Sequence, residues 1–275
     1  MGSDVRIREY AHILHEQTRP DGRAPEQRDS ILDELTFLST DECFFLLDIF
    51  QRFPRVQKNF HHFLGLEPED RLAEAVNLLA REPRAGWPAM GVPQGMIQSV
   101  AGHQTDGMRM AFMMAAGNHN PTHEPQRLAR MFAVHDLTES VTGDFISGGA
   151  HKDPISKPEK QKLERIVLRF LLEEHPARED AVEMMALWEE YEAGVTPDSV
   201  MAHDIDKLEL VMQAQFYESL YPDLKSQFTE LWDHAQGNVQ TPQGRALLNE
   251  LTTRHPMPHP LKTARPVAFT FPWPL

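Results

Sequence analysis

Apolar residues recur at three- and four-residue intervals along most of the chain, the period of helices that bury one face. Tyr10, Ile13 and Leu14 mark a first stripe, and Ile31, Leu32, Leu35 and Leu38 a second. Thr40 offers an N-cap for a third helix, with Glu42 in its first turn and Phe44, Phe45, Leu46, Ile49 and Phe50 behind it. Pro54 ends that helix or begins the next. A helix over 67–81 places Leu72, Ala75, Val76 and Leu79 on one face. Three prolines and two glycines between Arg81 and Pro93 then break the pattern. Trp87 therefore sits in a loop, as a core anchor or as the cover of a pocket.

Helical spacing resumes from about Met96 to Gly117, with His103, Gly107, Met110, Ala111 and Met114 on one inward stripe. Gly102 and Gly107 cost helix propensity, which points to a close neighbour, either another helix or a substrate. A polar linker leads to Pro125, at a helix start where its missing N–H does no harm. The helix that follows is predicted to run past Leu128, Met131, Phe132 and Val141 to Gly143, which ends it. Further helices are predicted over 157–175, 177–193, 198–217, 223–236 and 242–253. In the 198–217 segment Met201, Ile205, Leu208, Met212 and Phe216 form the buried stripe. Six prolines after Arg254 predict an extended strap. The fold class is all-α, with a helical extension over 1–80, a helical domain over 81–253 and a proline-rich tail over 254–275.

Polar groups interrupt this pattern at few places. His135, Asp136 and Glu139 lie in the apolar stripe of the central helix, and on a 3.6-residue period they share a face. Buried polar side chains need a partner. Imidazole and carboxylate are ligands of first-row divalent metals, although a hydrogen-bonded core histidine beside a solvated acid is the simpler account of the dipeptide alone. Asp144 stands at the exit of that helix, and His103 is a second imidazole on an inward stripe. The 198–217 helix carries another His-Asp pair, His203-Asp204, followed by Asp206, and periodicity leaves open which aspartate turns inward. His12, His15, His61 and His62 have no convincing partner in the pattern.

Composition narrows the functions. A net charge of −14 argues against a broad nucleic-acid footprint. A small anionic substrate remains compatible where a metal and a few cations reverse the local sign. Cys43 is the only cysteine, so no internal disulfide is expected. No run approaches the ~20 apolar residues that span a bilayer. The expectation is a soluble, cytoplasmic protein with no membrane partner, whose N-terminal helices serve as a cap or as a homodimer interface.

His103, then His135-Asp136, then an aspartate about 70 residues later resembles the metal-binding signature of the HD superfamily of phosphohydrolases. The similarity extends through Arg84-Ala-Gly-Trp87, the helix around His103 and the block from His135 to Gly143-Asp144. It continues through Leu187-Trp188-Glu-Glu-Tyr191-Glu192 and Ile205-Asp206-Lys-Leu-Glu209. Order and spacing are similar to those of the HD-domain 5′-deoxynucleotidases, over roughly residues 80–220. The resemblance implies an HD-domain helical bundle holding one divalent ion (Mn, Fe, Co, Ni or Zn) on His103, His135, Asp136 and Asp206. It thereby places the fourth ligand at Asp206. It also implies hydrolysis of a phosphomonoester, a nucleoside 5′-monophosphate or a related small phosphate. Glu139 would orient or deprotonate the attacking water, and Asp144 would protonate the leaving alkoxide or hold the sugar.

Arg84, Trp87 and Lys152 are the candidates for substrate contact, with Lys157 and Lys160 nearby in sequence. The nucleotidases carry an arginine a few residues after the loop tryptophan. Here the stretch from Trp87 to Val92 has no basic residue, and Arg84, upstream, is the replacement. Two rivals stand beside the phosphohydrolase: an HD-fold iron oxygenase, which needs further histidines such as His151 or His175, and a metal-binding protein without catalytic activity.

Overall fold

The structure, a computed structural model, describes residues 38–116, 123–146, 151–173 and 175–254. In chain order the helices are α1 (Thr40–Arg52), α2 (Pro54–Leu64), α3 (Pro68–Leu79), α4 (Gly86–Ala89), α5 (Val100–Ala116) and α6 (Pro125–Val134). They continue as α7 (Glu139–Thr142), α8 (Lys157–Leu172), α9 (Arg178–Ala193), α10 (Pro197–Leu220), α11 (Thr229–Asn238) and α12 (Pro242–Arg254). Two 3₁₀ segments, Gln94–Met96 and Pro222–Phe228, complete the set. No β-strand occurs among the described residues, and the all-α class read from the spacing holds. The helices expected within 3–37, the linker at 117–122, the glycines of 147–150 and the tail from 255 lie outside the described residues.

Local chemistry sets the helix starts. α1 is capped by Ser39, one residue before the expected Thr40: its Oγ accepts the Glu42 N–H at 3.3 Å, and the Glu42 carboxylate accepts the Ser39 N–H at 2.8 Å. Ser156 and Glu159 form the same reciprocal box at α8, satisfying donors that have no helical partner.

The single central helix expected through Gly143 is instead two. α6 stops at Val134, a turn spans His135–Thr138, and α7 has four residues. Across the turn the hydrogen bonds step three residues: Glu139 N–H to Asp136 O at 3.0 Å and Ser140 N–H to Leu137 O at 3.3 Å. Side-chain hydroxyls also compete for the carbonyls, with Ser140 Oγ donating to Leu137 O at 2.8 Å and Thr142 Oγ1 to Thr138 O at 3.3 Å. Gly143 does end the segment, with a φ of +71°.

The described chain divides into two compact units, one from the residues through Pro83 with Asp136–Met185, the other from Arg84–His135 with the chain from Ala186. In the first, Ile49, Val56, Phe60, Phe63, Val141 and Val167 are fully buried, and Phe60 stacks on Phe170 with ring centroids 4.6 Å apart. The Arg71 guanidinium lies 4.3 Å over the Phe170 ring, a cation–π contact that lets a cation be buried. In the second, α10 is the central helix, with Ile205, Leu208, Val211, Ala214 and Tyr217 at 0% exposure. Phe216, placed on the buried stripe by periodicity, is 48% exposed, because the buried face has drifted to Tyr217 over the roughly four turns that follow Met201. Gly107 is where α5 meets α6: a Cβ there would stand 1.9 Å from Phe132 Cε1, so the close neighbour is a helix.

Candidate metal-binding site

In the second unit two imidazoles face each other from α5 and the end of α6. His103 is fully buried and His135 is 5% exposed, with ring centroids 5.6 Å apart. Each offers a ligand nitrogen within 4.8 Å of the other's. Asp136, bonded to His135, offers its carboxylate within the same distance of that ring. His135 Nδ1 lies 2.6 Å from Phe132 O; a carbonyl only accepts, so Nδ1 carries a proton and donates. His103 Nδ1 lies 2.5 Å from Glu209 Oε2, and an ionised carboxylate only accepts, so this nitrogen donates.

His103 Nε2 is 3.0 Å from Asp206 Oδ1, and the Asp206 side chain, at the edge of the core, is 26% exposed. A lone pair and a carboxylate at that separation require a proton or a cation between them. Burial and the Arg84 charge depress the His103 pKa, yet the Glu209 charge with hydrogen bonds to Asp206 and Glu209 raise it to about 9. Burial raises the Asp206 pKa, but the hydrogen bond and charge of His103, with the His135 and Arg84 charges, leave it well below the usual carboxylate range. The residues fit a divalent ion. Metal-bound histidines characteristically donate their other N–H to a carboxylate or carbonyl, and both imidazoles do so here.

The second His-Asp pair faces elsewhere. Asp204, at 0% exposure, accepts from Gln240 N–H (2.9 Å), Thr241 N–H (2.7 Å) and Thr241 Oγ1 (2.6 Å), holding the start of α12. His203 Nε2 donates to Tyr191 O at 2.9 Å. Of the two roles expected for Trp87, its contacts describe the anchor: it is 2% exposed and packs edge-on against Tyr217 (5.0 Å) and Phe228 (5.9 Å). It fixes the segment carrying Arg84, whose N–H bonds Gln98 O at 3.0 Å. Gln98 Nε2 in turn donates to Glu209 Oε1 at 2.5 Å.

In the first unit Glu139 is buried at 2% exposure. Lys160 Nζ stands 2.8 Å from Glu164 Oε1 and 3.9 Å from Glu139 Oε1. Burial lowers the Lys160 pKa, but the charges of Glu164, Glu139 and Asp136 outweigh it and raise it above its ordinary value. Lys160 is thus the lysine beside Glu139, while Lys152 and Lys157 are exposed. Asp144 is half-buried, and its N–H reaches Glu82 Oε1 at 3.4 Å. His151 is exposed in a turn, and His175 Nδ1 accepts the Ala177 N–H at 3.2 Å. Glu209 was legible only as the residue three positions after Asp206, on its face of the helix. Nothing local marks Arg55, whose guanidinium lies against Gly143.

The HD domain family matches residues 76–243. The chain is 31% identical to the 5′-deoxynucleotidase HDDC2 of Danio rerio over 66% of this chain and 86% of that protein. It is 30% identical to the human protein of the same name, over 64% and 80%. With the 5′-deoxynucleotidase hdd1 of Schizosaccharomyces pombe it shares 30% identity over 65% and 85%. Among solved structures, the PH0347 protein of Pyrococcus horikoshii OT3 is similar in fold, with a TM-score of 0.51 at 23% identity, over 66% of this chain and 96% of that one.

Proposed function

The chain belongs to the HD domain family, and from that premise we propose that it is a metal-dependent phosphohydrolase cleaving a small phosphomonoester, a (deoxy)nucleoside 5′-monophosphate. The observation that carries the reading is the pair of facing, buried imidazoles whose Nδ1 atoms are engaged by Glu209 and by Phe132 O, with His103 Nε2 3.0 Å from the Asp206 carboxylate. The substrate class is supported by the relatives named 5′-deoxynucleotidase.

One divalent ion would be held by His103, His135, Asp136 and Asp206. When bound, it would polarise a phosphoryl oxygen and lower the pKa of water. Glu139 takes a proton from the attacking water as its oxygen bonds to phosphorus. Asp144 delivers a proton to the ester oxygen as the P–O bond breaks, leaving an alcohol and inorganic phosphate. Lys160, 3.9 Å from Glu139, is the cation beside that carboxylate. Arg84, whose charge reaches both His103 and Asp206, and the exposed Lys152 are the cations for the substrate phosphate. Trp87 anchors the segment that carries Arg84.

The test is phosphate release from nucleoside 5′-monophosphates and sugar phosphates by protein stripped and reloaded with Mn, Fe, Co, Ni or Zn. The expected result is release from nucleoside 5′-monophosphates in preference to sugar phosphates, lost together with bound metal in His135→Ala. No release with any metal, or equal release by His135→Ala, refutes the reading.

A further inference from the structure

The segment that carries Glu139 and Asp144 is too short to hold its own shape. A four-residue helix lies far below the ~12–15 residues at which an isolated helix becomes stable. Its last carbonyls also have no further turn to bond them. Both deficits are met from α2. Asn59 Nδ2 donates to Val141 O at 3.0 Å, and Arg55 Nη2 donates to Thr142 O at 3.4 Å. Arg55 Nη1 also holds Glu82 Oε1 at 3.0 Å, and that same oxygen accepts the N–H of Asp144. The guanidinium therefore grips the segment on both sides of Gly143, once directly and once through Glu82.

Gly143 makes room for this grip. A Cβ at that position would stand 1.5 Å from Arg55 Nη2 and 2.0 Å from its Cζ, so the guanidinium fills the space a side chain would take. The φ of +71° independently favours glycine. Phe53, just before α2, adds an edge-on ring contact to Phe145 at 5.1 Å.

We propose that Arg55 is a positioning residue that sets the placement of Glu139 and Asp144 for proton transfer. On this reading α2, which precedes the 76–243 stretch matched by the HD domain family, is a working part of the site and more than an appended cap. The inference rests on the proposed proton-transfer roles of Glu139 and Asp144. It makes Arg55 act through the backbone of 141–144, with no contact to substrate or metal.

The experiment compares metal-loaded wild type, Arg55→Ala and Arg55→Lys by hydrogen–deuterium exchange, metal affinity, kcat and KM. In Arg55→Ala, exchange of peptides covering 139–145 is expected to rise about tenfold or more, while peptides from α8 stay unchanged. Metal affinity stays within about twofold. Misplacement of catalytic groups by about 1 Å costs up to ~10²-fold, so kcat should fall by about 10–100-fold with KM nearly unchanged. Arg55→Lys keeps a charge but loses the planar fork, and should recover part of both losses. Unchanged exchange over 139–145, unchanged kcat, or a uniform rise of exchange throughout the protein overturns the proposal. If Arg55→Ala does not fold, Asn59→Ala tests the same grip through Val141, with smaller changes of the same kind expected and their absence overturning it. An inactive wild type defeats the proposed function and this inference with it; an active wild type beside an equally active, folded Arg55→Ala defeats the inference alone.

Discussion

Glu209→Gln separates a carboxylate that orients a ligand from one that merely fills space. Glu209 is 3% exposed and accepts from His103 Nδ1 and from Gln98 Nε2, each at 2.5 Å. Glutamine offers one acceptor oxygen and one NH2 group. Whichever way it turns, its NH2 group faces one of the two former donors, which must then present an acceptor instead. If its oxygen stays with Gln98, His103 must move its proton to Nε2, the atom that lies 3.0 Å from Asp206 and that would bind a metal. If its oxygen stays with His103, the tautomer survives without the charge that strengthens the bond. Carboxylates behind metal-bound histidines typically contribute about 10–100-fold to metal affinity. That range is about 1.4–2.8 kcal/mol. The assay is competition with a chelator of known affinity, on wild type, Glu209→Gln and Glu209→Ala, each shown folded by circular dichroism. The expected order is wild type tightest, with Glu209→Gln weaker by that factor. Equal affinity in folded wild type and Glu209→Gln would refute the orienting role.

Glu139→Ala should keep its metal content while turnover falls by about 10²–10⁴-fold, the usual contribution of a general base; a metal-replete, fully active variant excludes that role. Asp204→Asn and Asp206→Asn should part company. The first weakens charge-assisted bonds at the start of α12 and destabilises by roughly 1–3 kcal/mol in urea titration, with metal retained. The second loses metal while the bonds at the start of α12 remain, and the opposite pattern contradicts the assignment of the ligands. At the surface, hydrogen bonds from Arg52 and Ser156 lower the Glu159 pKa from 4.5 to about 2. Its stabilisation is present above pH ~4.5 and is lost as pH falls toward 2. The melting-temperature gap between wild type and Glu159→Gln should accordingly close over that range, and a gap constant with pH speaks against the pairing.

Much of the helical architecture is legible in the sequence, because each helical turn is formed by residues within four positions of one another. Of the stripe His103, Gly107, Met110, Ala111 and Met114, the first four are buried as the spacing predicts and Met114 is half-buried, and Gly143 ends its segment. The same locality explains the errors. Thr40 and Ser39 are both good caps, and the choice between them was settled by the Glu42 side chain reaching Ser39. The central helix reads as continuous, since nothing in its apolar period records that Ser140 and Thr142 turn their hydroxyls onto the backbone.

The chemistry of the candidate site divides in the same way. His135 and Asp136 announce themselves as neighbours in an apolar stripe, His103 as an imidazole on another, and the resemblance decides for Asp206. Only the fold shows what becomes of the other acids. Asp204 and Asp206 are two residues apart, about 200° around a helix, and both have polar partners. Asp204 is claimed by backbone N–H groups 36 and 37 positions away, Glu209 finds His103 across 106, and Arg55 finds Thr142 across 87. Periodicity reports which face of a helix is buried. Which acid meets which base is decided by contacts among residues far apart in the chain, made when the helices pack, and no local pattern encodes them.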